Sequence, residues 1–148
     1  MSNREFIALI FGFGFLSFIF IILFYSLTAL CYQKMFKAYG YAHPGYAWIP
    51  FYRLYILADL TCGPIFQFGE FEIEKKYFLW WWVVAEVLAF VPFVGGFLSV
   101  IIHIVCLGYC HHEGITRVDP TYDSKVLSYA SAIFGFLLWF LVLPKKVD

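Results

Sequence analysis

The sequence predicts an all-α, polytopic membrane protein, and three observations support this fold class. Of the 148 residues, 63% are hydrophobic and only 14% are charged, whereas soluble domains average about 45–50% apolar and about 25% charged residues. A chain this short would leave much of its apolar surface exposed if it folded in water. Its apolar residues also form long runs. We therefore predict one membrane domain with four transmembrane helices and one short interfacial or re-entrant helix.

The first predicted span covers residues 6–32, which contain no charged residue. A helix needs about 20 apolar residues to cross the hydrocarbon core of a bilayer, and this run meets that requirement alone. It is also longer than the apolar segment of a secretory signal, which has about 7–15 residues. We therefore expect this helix to be retained.

Residues 46–60 form a shorter apolar element that carries Pro50, Arg53 and Asp59. A charged residue at the bilayer centre costs roughly 2.5–3.5 kcal/mol on insertion scales. The aromatic residues of this element favour the level of the lipid headgroups. We therefore prefer an interfacial or re-entrant helix here to a full crossing.

The other three spans are predicted at residues 77–91, 95–110 and 126–143. Pro92 and two following glycines indicate a tight turn between the first two of these spans. Residues 61–76 and 111–125 are polar and are predicted to be loops. Within the first loop, Glu and apolar residues alternate from 70 to 74, which is typical of a strand or an extended segment.

The basic residues indicate an orientation only if residues 46–60 do not cross the membrane. Seven Lys and Arg residues then lie on one side and three on the other. The positive-inside rule would place the seven in the cytoplasm and both termini outside. If the element crosses, the split becomes four against five with Arg53 in the membrane, and the rule decides nothing.

The segment Tyr39–Tyr52, with the sequence YGYAHPGYAWIPFY, resembles the KAG-x-PGW-x-x-IPxYN signature of an uncharacterised family of small bacterial membrane proteins. The likeness extends to a second Pro turn at 91–93 and to a last helix introduced by Asp119-Pro120. The resemblance implies a location in the bacterial cytoplasmic membrane, and it brings no reaction, ligand or catalytic residue. Arg53 stands where the signature has Asn, so any role of that Asn does not carry over. The candidate residues of this interfacial motif are Pro44, Gly45, Trp48, Pro50, Tyr52 and Arg53.

Two ionisable residues, Glu86 and His103, lie deep inside predicted spans. They are equally far from the turn between those spans, so an antiparallel hairpin puts both about 13 Å from the turn. We expect them to interact or to face the helix bundle, because an isolated charge in hydrocarbon is costly. One interpretation is a proton relay or ion site. We prefer an interhelical hydrogen bond that stabilises the hairpin.

A C-x3-C-H-H cluster lies at the end of the third predicted span and consists of Cys106, Cys110, His111 and His112. Thiolate and imidazole ligands suit zinc or copper. A structural zinc site usually needs a second cluster, and the sequence offers none of the usual spacing. We therefore prefer an interfacial helix end with polar histidines and predict no metal or other cofactor.

Small residues line one face of the last predicted helix, namely Ser128, Ser131, Ala132 and Gly135. Small side chains allow helices to approach closely in lipid. This face is predicted to pack within the bundle or against another subunit.

The sequence predicts function only in outline. It contains no phosphate-binding loop, no H-E-x-x-H motif and no other recognisable catalytic motif, so we expect no enzyme. The ten basic and ten acidic residues balance, which argues against a nucleic-acid partner. We expect an accessory or scaffolding subunit that contacts a membrane protein partner or a second copy through its helices. The alternative is a proton- or ion-linked transporter or channel component that uses Glu86 and His103.

Overall fold

The computed structural model describes residues 3–147, which are mostly helical and include one β-hairpin. The α-helices are α1 (Asn3–Ala38), α2 (Tyr52–Thr61), α3 (Lys75–Phe78), α4 (Trp81–Ala89), α5 (Gly95–Val118), α6 (Lys125–Ile133) and α7 (Phe136–Val142). A 3-10 helix covers Pro44–Trp48, and strands β1 (Ile65–Phe68) and β2 (Phe71–Glu74) pair antiparallel. The predicted mostly helical architecture is confirmed.

Two of the described helices, rather than four, are long and apolar enough to cross a membrane, namely α1 and α5. The four-span prediction is not confirmed, because two predicted spans are interrupted. Residues 77–91 divide into α3 and α4, where Trp80 has φ −107° and ψ 12°. Residues 126–143 divide into α6 and α7, where Phe134 has φ −109° and ψ 80°. Neither conformation continues an α-helix.

The remaining predicted boundaries are also corrected by the structure. Helix α1 continues past residue 32 and ends before Gly40, whose φ of 71° is typical of a helix C-terminus. Helix α5 continues past residue 110 and ends before Asp119-Pro120, because a residue preceding proline avoids the helical conformation. Residues 46–60 divide between the 3-10 helix and α2, and Phe51 between them has φ 62°.

Helix α1 has two halves with different surroundings. The described side chains from residue 4 to 23 are all exposed, including Phe11 at 74% and Leu16 at 69%. From Thr28 onwards the helix enters the hydrophobic core, where Met35 and Phe36 are fully buried. The core therefore forms around the second half of α1, and the described residues leave the described side chains of the first half uncovered.

Contacts between helices show that α1, α5 and α7 run in the same direction. Tyr32 of α1 contacts His111 of α5, and Arg117 donates a hydrogen bond to the backbone oxygen of Ala38. Along α7, Trp139 contacts Thr28, and Leu143 accepts a hydrogen bond from Lys34. The C-terminal ends of these three helices therefore lie at the same end of the molecule.

Helix α6 runs antiparallel to α5, so the α6–α7 segment reverses direction. His111 contacts Ser131, and the next α5 residue, His112, contacts the earlier α6 residue Ser128. An ion pair of 2.6 Å between Lys145 and Asp119 then joins the end of α7 to the end of α5. The predicted last crossing is therefore a helical hairpin whose two ends lie together.

The sequence predicts a polar loop over residues 61–76, and the structure instead places a β-hairpin there, whose second strand lies within the alternating residues 70–74. Gly69 has φ 62° in the turn between the strands. Phe66 of β1 is buried, and its ring lies 4.4 Å from Phe78 and 4.9 Å from Tyr109. The hairpin thus covers one side of α5, while the side chains of β2 remain exposed.

Candidate functional site

A buried polar network joins α1, α5 and α6 in the middle of the core. His111 contacts Tyr32 Oη through Nε2 at 3.0 Å and Ser131 Oγ through Nδ1 at 2.8 Å. The three residues are between 1% and 3% exposed. Because buried polar atoms need partners, this arrangement fixes the three helices relative to one another.

The hydrogen bonds assign one tautomer to His111. The hydroxyl of Ser131 donates its proton to the backbone oxygen of Ser128 at 2.7 Å. Its oxygen must therefore accept a hydrogen bond from the Nδ1–H of His111. Nε2 then carries a lone pair and accepts from the Tyr32 hydroxyl. The network is complete with a neutral imidazole, so each of its groups is used structurally.

A second set of contacts extends the network towards the start of α6. His112 Nδ1 lies 3.3 Å from Ser128 Oγ, which also contacts Tyr122 Oη at 3.1 Å. Tyr122 in turn donates to the backbone oxygen of Ser124 at 2.7 Å. Ser128 is completely buried, whereas His112 and Tyr122 are partly exposed, so this set runs from the core towards the surface.

The predicted small-residue face of the last helix packs against other helices of the same chain. Ser128 and Ser131 face α5, as described above. Gly135 packs against Phe24 of α1, since a Cβ added there would lie 3.0 Å from Phe24 Cζ. Ala132 is partly buried. A partner subunit would therefore have to use a different surface.

The C-x3-C-H-H cluster does not converge on one point. Both ring nitrogens of His111 are taken by Tyr32 and Ser131, and His112 contacts Ser128 instead. Cys106 and Cys110 are buried free thiols. Within residues 3–147, no group of three or more His, Cys, Asp or Glu side chains is placed to hold a metal ion.

The interfacial motif packs against the middle of α1. Tyr25 donates a hydrogen bond to the backbone oxygen of Trp48. The guanidinium carbon of Arg53 lies 4.9 Å from the ring centre of Tyr25 and 5.2 Å from that of Tyr32. Cations over aromatic faces are attracted by the ring quadrupole. Arg53 therefore connects the motif to the polar network through Tyr32.

The other motif residues shape the backbone and the surface around Arg53. Pro44 begins the 3-10 helix, a position where its missing N–H costs no hydrogen bond. Gly45 is exposed and has open space around it. Pro50 precedes the strained Phe51, and Tyr52 stacks on Tyr55 with ring centres 5.9 Å apart.

Glu86 and His103 lie near each other on the α4–α5 hairpin. The distance from His103 Nε2 to Glu86 Oε1 is 3.9 Å, which is longer than a direct hydrogen bond. Their side chains are 33% exposed for His103 and 60% exposed for Glu86. His103 Nδ1 contacts the backbone oxygen of Ser99 at 3.1 Å. The pair is therefore adjacent but open to its surroundings.

Sequence reasoning missed Tyr25, Thr28 and Tyr32 as a functional set. They recur at helical spacing within an apolar run, so they share the face of α1 that meets the rest of the chain. Thr28 accepts a hydrogen bond from Trp139 Nε1 at 3.1 Å. A polar stripe on an otherwise apolar helix was the signal available in the sequence.

Sequence reasoning also missed the ion pair and hydrogen bonds that join the C-terminal ends of α1, α5 and α7. Besides the Lys145–Asp119 ion pair, Lys34 donates to the backbone oxygen of Lys145 at 2.7 Å. The hydrogen bonds from Lys145 and Thr121 lower the pKa of Asp119 from its ordinary 3.8 to about 2. These residues are far apart in sequence, so no local pattern indicated their contact.

Searches against protein-family models, curated proteins and solved structures found no match to this chain.

Proposed function

We propose that this protein is an accessory or scaffolding subunit of the bacterial cytoplasmic membrane that contacts a membrane protein partner through the first half of α1. The observation that carries the proposal is the exposure of every described side chain from residue 4 to 23. From Phe6 to Tyr25, α1 is about 30 Å long, which is close to the thickness of a hydrocarbon core. Lipid and a partner helix are the surroundings that suit this surface.

We further propose that α1 crosses the membrane while the α4–α5 hairpin enters the bilayer and returns. Helix α5 begins 16 residues before His111. Because His111 lies beside Tyr32 and the two helices run in the same direction, the start of α5 is level with Leu16 of α1. The start of α5 therefore lies roughly 15 Å short of the level of Phe6. The turn contains Phe90 and Phe93, which are 87% and 104% exposed. A turn this apolar suits hydrocarbon better than the far aqueous side.

The α6–α7 hairpin supports a definite orientation. Because α7 returns to the end of α5, nine of the ten Lys and Arg residues lie on the side of the core, and only Arg4 lies beyond the exposed half of α1. The positive-inside rule then places the core in the cytoplasm and the N-terminus outside.

A photo-crosslinking experiment in native membranes tests the scaffolding proposal. A photoreactive amino acid replaces Phe11 or Leu16 on the exposed half of α1, and Val126, which is 79% exposed at the start of α6, serves as the matched control. We expect a discrete protein adduct from the α1 positions and none from the control. Adducts with lipid alone from both α1 positions would contradict a protein partner on this surface.

The second candidate is a proton- or ion-linked transporter component, which the 3.9 Å separation of Glu86 and His103 favours. Such a role requires an oligomer to enclose a route past the exposed Glu86. Proton flux into vesicles containing the purified protein tests it. We expect Glu86→Gln to abolish the flux if this candidate is correct, whereas equal flux in wild type, variant and empty vesicles would eliminate it.

A further inference from the structure

We propose that a groove beside Arg53 binds the phosphate of an anionic phospholipid. The groove lies between α1 and the start of α2 and has a volume of about 270 Å³. The residues that line it are Phe20, Ile21, Phe24, Tyr25, Thr28 and Arg53. The wall of the groove is almost entirely apolar, and Arg53 is the one charged side chain that lines it.

Arg53 lacks an anionic partner within the described chain. Its Nη1 is buried and has no hydrogen-bond partner, and none of the ion pairs among residues 3–147 involves it. A guanidinium keeps its charge and offers five donors in a planar fork, which matches the oxygens of a phosphate. Stacking over Tyr25 and Tyr32 holds this fork in place.

The other polar groups of the lining are already occupied. Tyr25 donates to Trp48, while Thr28 donates to the backbone oxygen of Phe24 and accepts from Trp139. Arg53 is thus the one lining side chain, of those described, with an unused donor. A ligand that fits would carry one anionic group and be apolar elsewhere, so the groove selects an amphiphile.

The position of the groove indicates that this amphiphile is a membrane lipid, and this step rests on the membrane placement proposed above. Phe20 and Ile21 are 64% and 63% exposed, whereas Thr28 is only 8% exposed. The groove therefore lies where α1 passes from its exposed half into the core, at the proposed cytoplasmic boundary of the bilayer. A headgroup phosphate would reach Arg53 while an acyl chain follows the apolar wall.

Native mass spectrometry of the full-length protein in detergent, titrated with phosphatidylglycerol or phosphatidylcholine, tests the site. We expect one retained phosphatidylglycerol and weaker retention of phosphatidylcholine, whose own cation competes with Arg53. Arg53→Gln should weaken phosphatidylglycerol binding about tenfold or more, and Arg53→Lys should fall between, because it keeps the charge but not the fork. The matched control is Arg117→Gln, since Arg117 lies over Tyr39 away from the groove and its loss should leave binding unchanged.

Two further arms separate the sources of phosphate and protect against misfolding of the Arg53 variants. Ile21→Trp fills the exposed apolar wall without disturbing the core, and it should abolish lipid retention. Inorganic phosphate, added at the same concentration as phosphatidylglycerol, should not displace the bound lipid. Full displacement by inorganic phosphate, or wild-type lipid retention in Arg53→Gln or Ile21→Trp, would overturn the proposal.

The membrane premise is tested separately by extraction of native membranes with alkaline carbonate. We expect the protein to stay with the membrane pellet. Release into the supernatant would overturn the membrane placement, whereas a retained protein whose Arg53→Gln variant binds lipid normally would overturn the lipid site alone.

Discussion

His111 shows how one residue can connect three helices that are distant in sequence. Its neutral imidazole donates to Ser131 and accepts from Tyr32, and the side chain is 2% exposed. In such a place the hydrogen bonds are worth little in net terms when complete, but a missing partner leaves a buried group without solvation. The network therefore specifies how the helices pack.

A double-mutant cycle tests this role. Tyr32→Phe should lower the free energy of unfolding by about 1–3 kcal/mol, because it leaves Nε2 of His111 buried without a donor. In a His111→Phe background, the same change should cost much less, because the unpaired nitrogen is already gone. Reversible unfolding in mixed micelles measures both effects, and strictly additive losses would contradict the proposed coupling.

Asp119 predicts a dependence of stability on pH. Its pKa is lower in the folded chain, about 2, than its ordinary 3.8, chiefly because of the hydrogen bond from Lys145. The ionised carboxylate therefore stabilises the fold above about pH 4, and this contribution falls as the pH drops through about 2. Melting temperatures of wild type and Asp119→Asn should differ at pH 7 and converge towards pH 2. A difference that stays constant with pH would show that the ionised carboxylate is not responsible.

At the scale of elements, Gly108 and Gly114 allow α5 to pack closely against α6 and α1. A Cβ on Gly108 would lie 2.5 Å from Cδ1 of Tyr129 and 3.1 Å from its Cα. A Cβ on Gly114 would lie 2.7 Å from Sδ of Met35, and this flexible side chain can move away at lower cost. The space at Gly108 is thus more strictly limited than the space at Gly114, because Gly108 faces the backbone of Tyr129 and Gly114 faces only a flexible side chain.

Alanine substitutions in α5 should follow this order. We expect Gly108→Ala to destabilise the protein by about 1–3 kcal/mol, as overpacking does in other cores, and Gly114→Ala to cost less. Gly96→Ala in the same helix is the matched control, because a Cβ there meets nothing within 4 Å. Equal melting temperatures for Gly108→Ala and Gly96→Ala would show that α6 is free to move away from α5.

At the scale of the whole molecule, the return of α7 changes the expected topology. Four crossings would leave both termini on the same side of the membrane, whereas one crossing by α1 with two returning hairpins separates them. Cysteines that replace Arg4 and Lys146 can distinguish these two arrangements.

Labelling with a membrane-impermeant maleimide tests this topology. The four native cysteines are buried, so Arg4→Cys and Lys146→Cys should dominate the signal. In spheroplasts we expect Arg4→Cys to react and Lys146→Cys to react only after the membrane is opened. Reaction of both positions in intact spheroplasts would favour an even number of crossings instead.

The sequence predicted much of the local structure because composition and short patterns determine it. The uncharged run of residues 6–32 predicted α1, and the alternation at 70–74 predicted a strand or extended segment. The proximity of Glu86 and His103 followed from counting residues on either side of a turn, because a hairpin brings equal distances level.

The break at Phe134 could not be predicted in the same way, because residues 126–143 carry no charge and contain no proline. The end of α7 is instead held against α5 and α1, chiefly by the contacts of Lys145 with Asp119 and of Lys34 with the backbone oxygens of Leu143 and Lys145. Hydropathy reports how apolar a segment is. It does not report whether the chain continues across the membrane or turns back.

The sequence alone thus determined that the chain is helical, unusually apolar and marked by a long apolar first helix, because these properties depend on residue type and near neighbours. Only the tertiary structure decided that His111, His112, the small-residue face and Arg53 belong to one connected region. That connection passes through Tyr32, which is 79 residues from His111. Contacts over such distances arise from the packing of whole helices, for which no local sequence pattern exists.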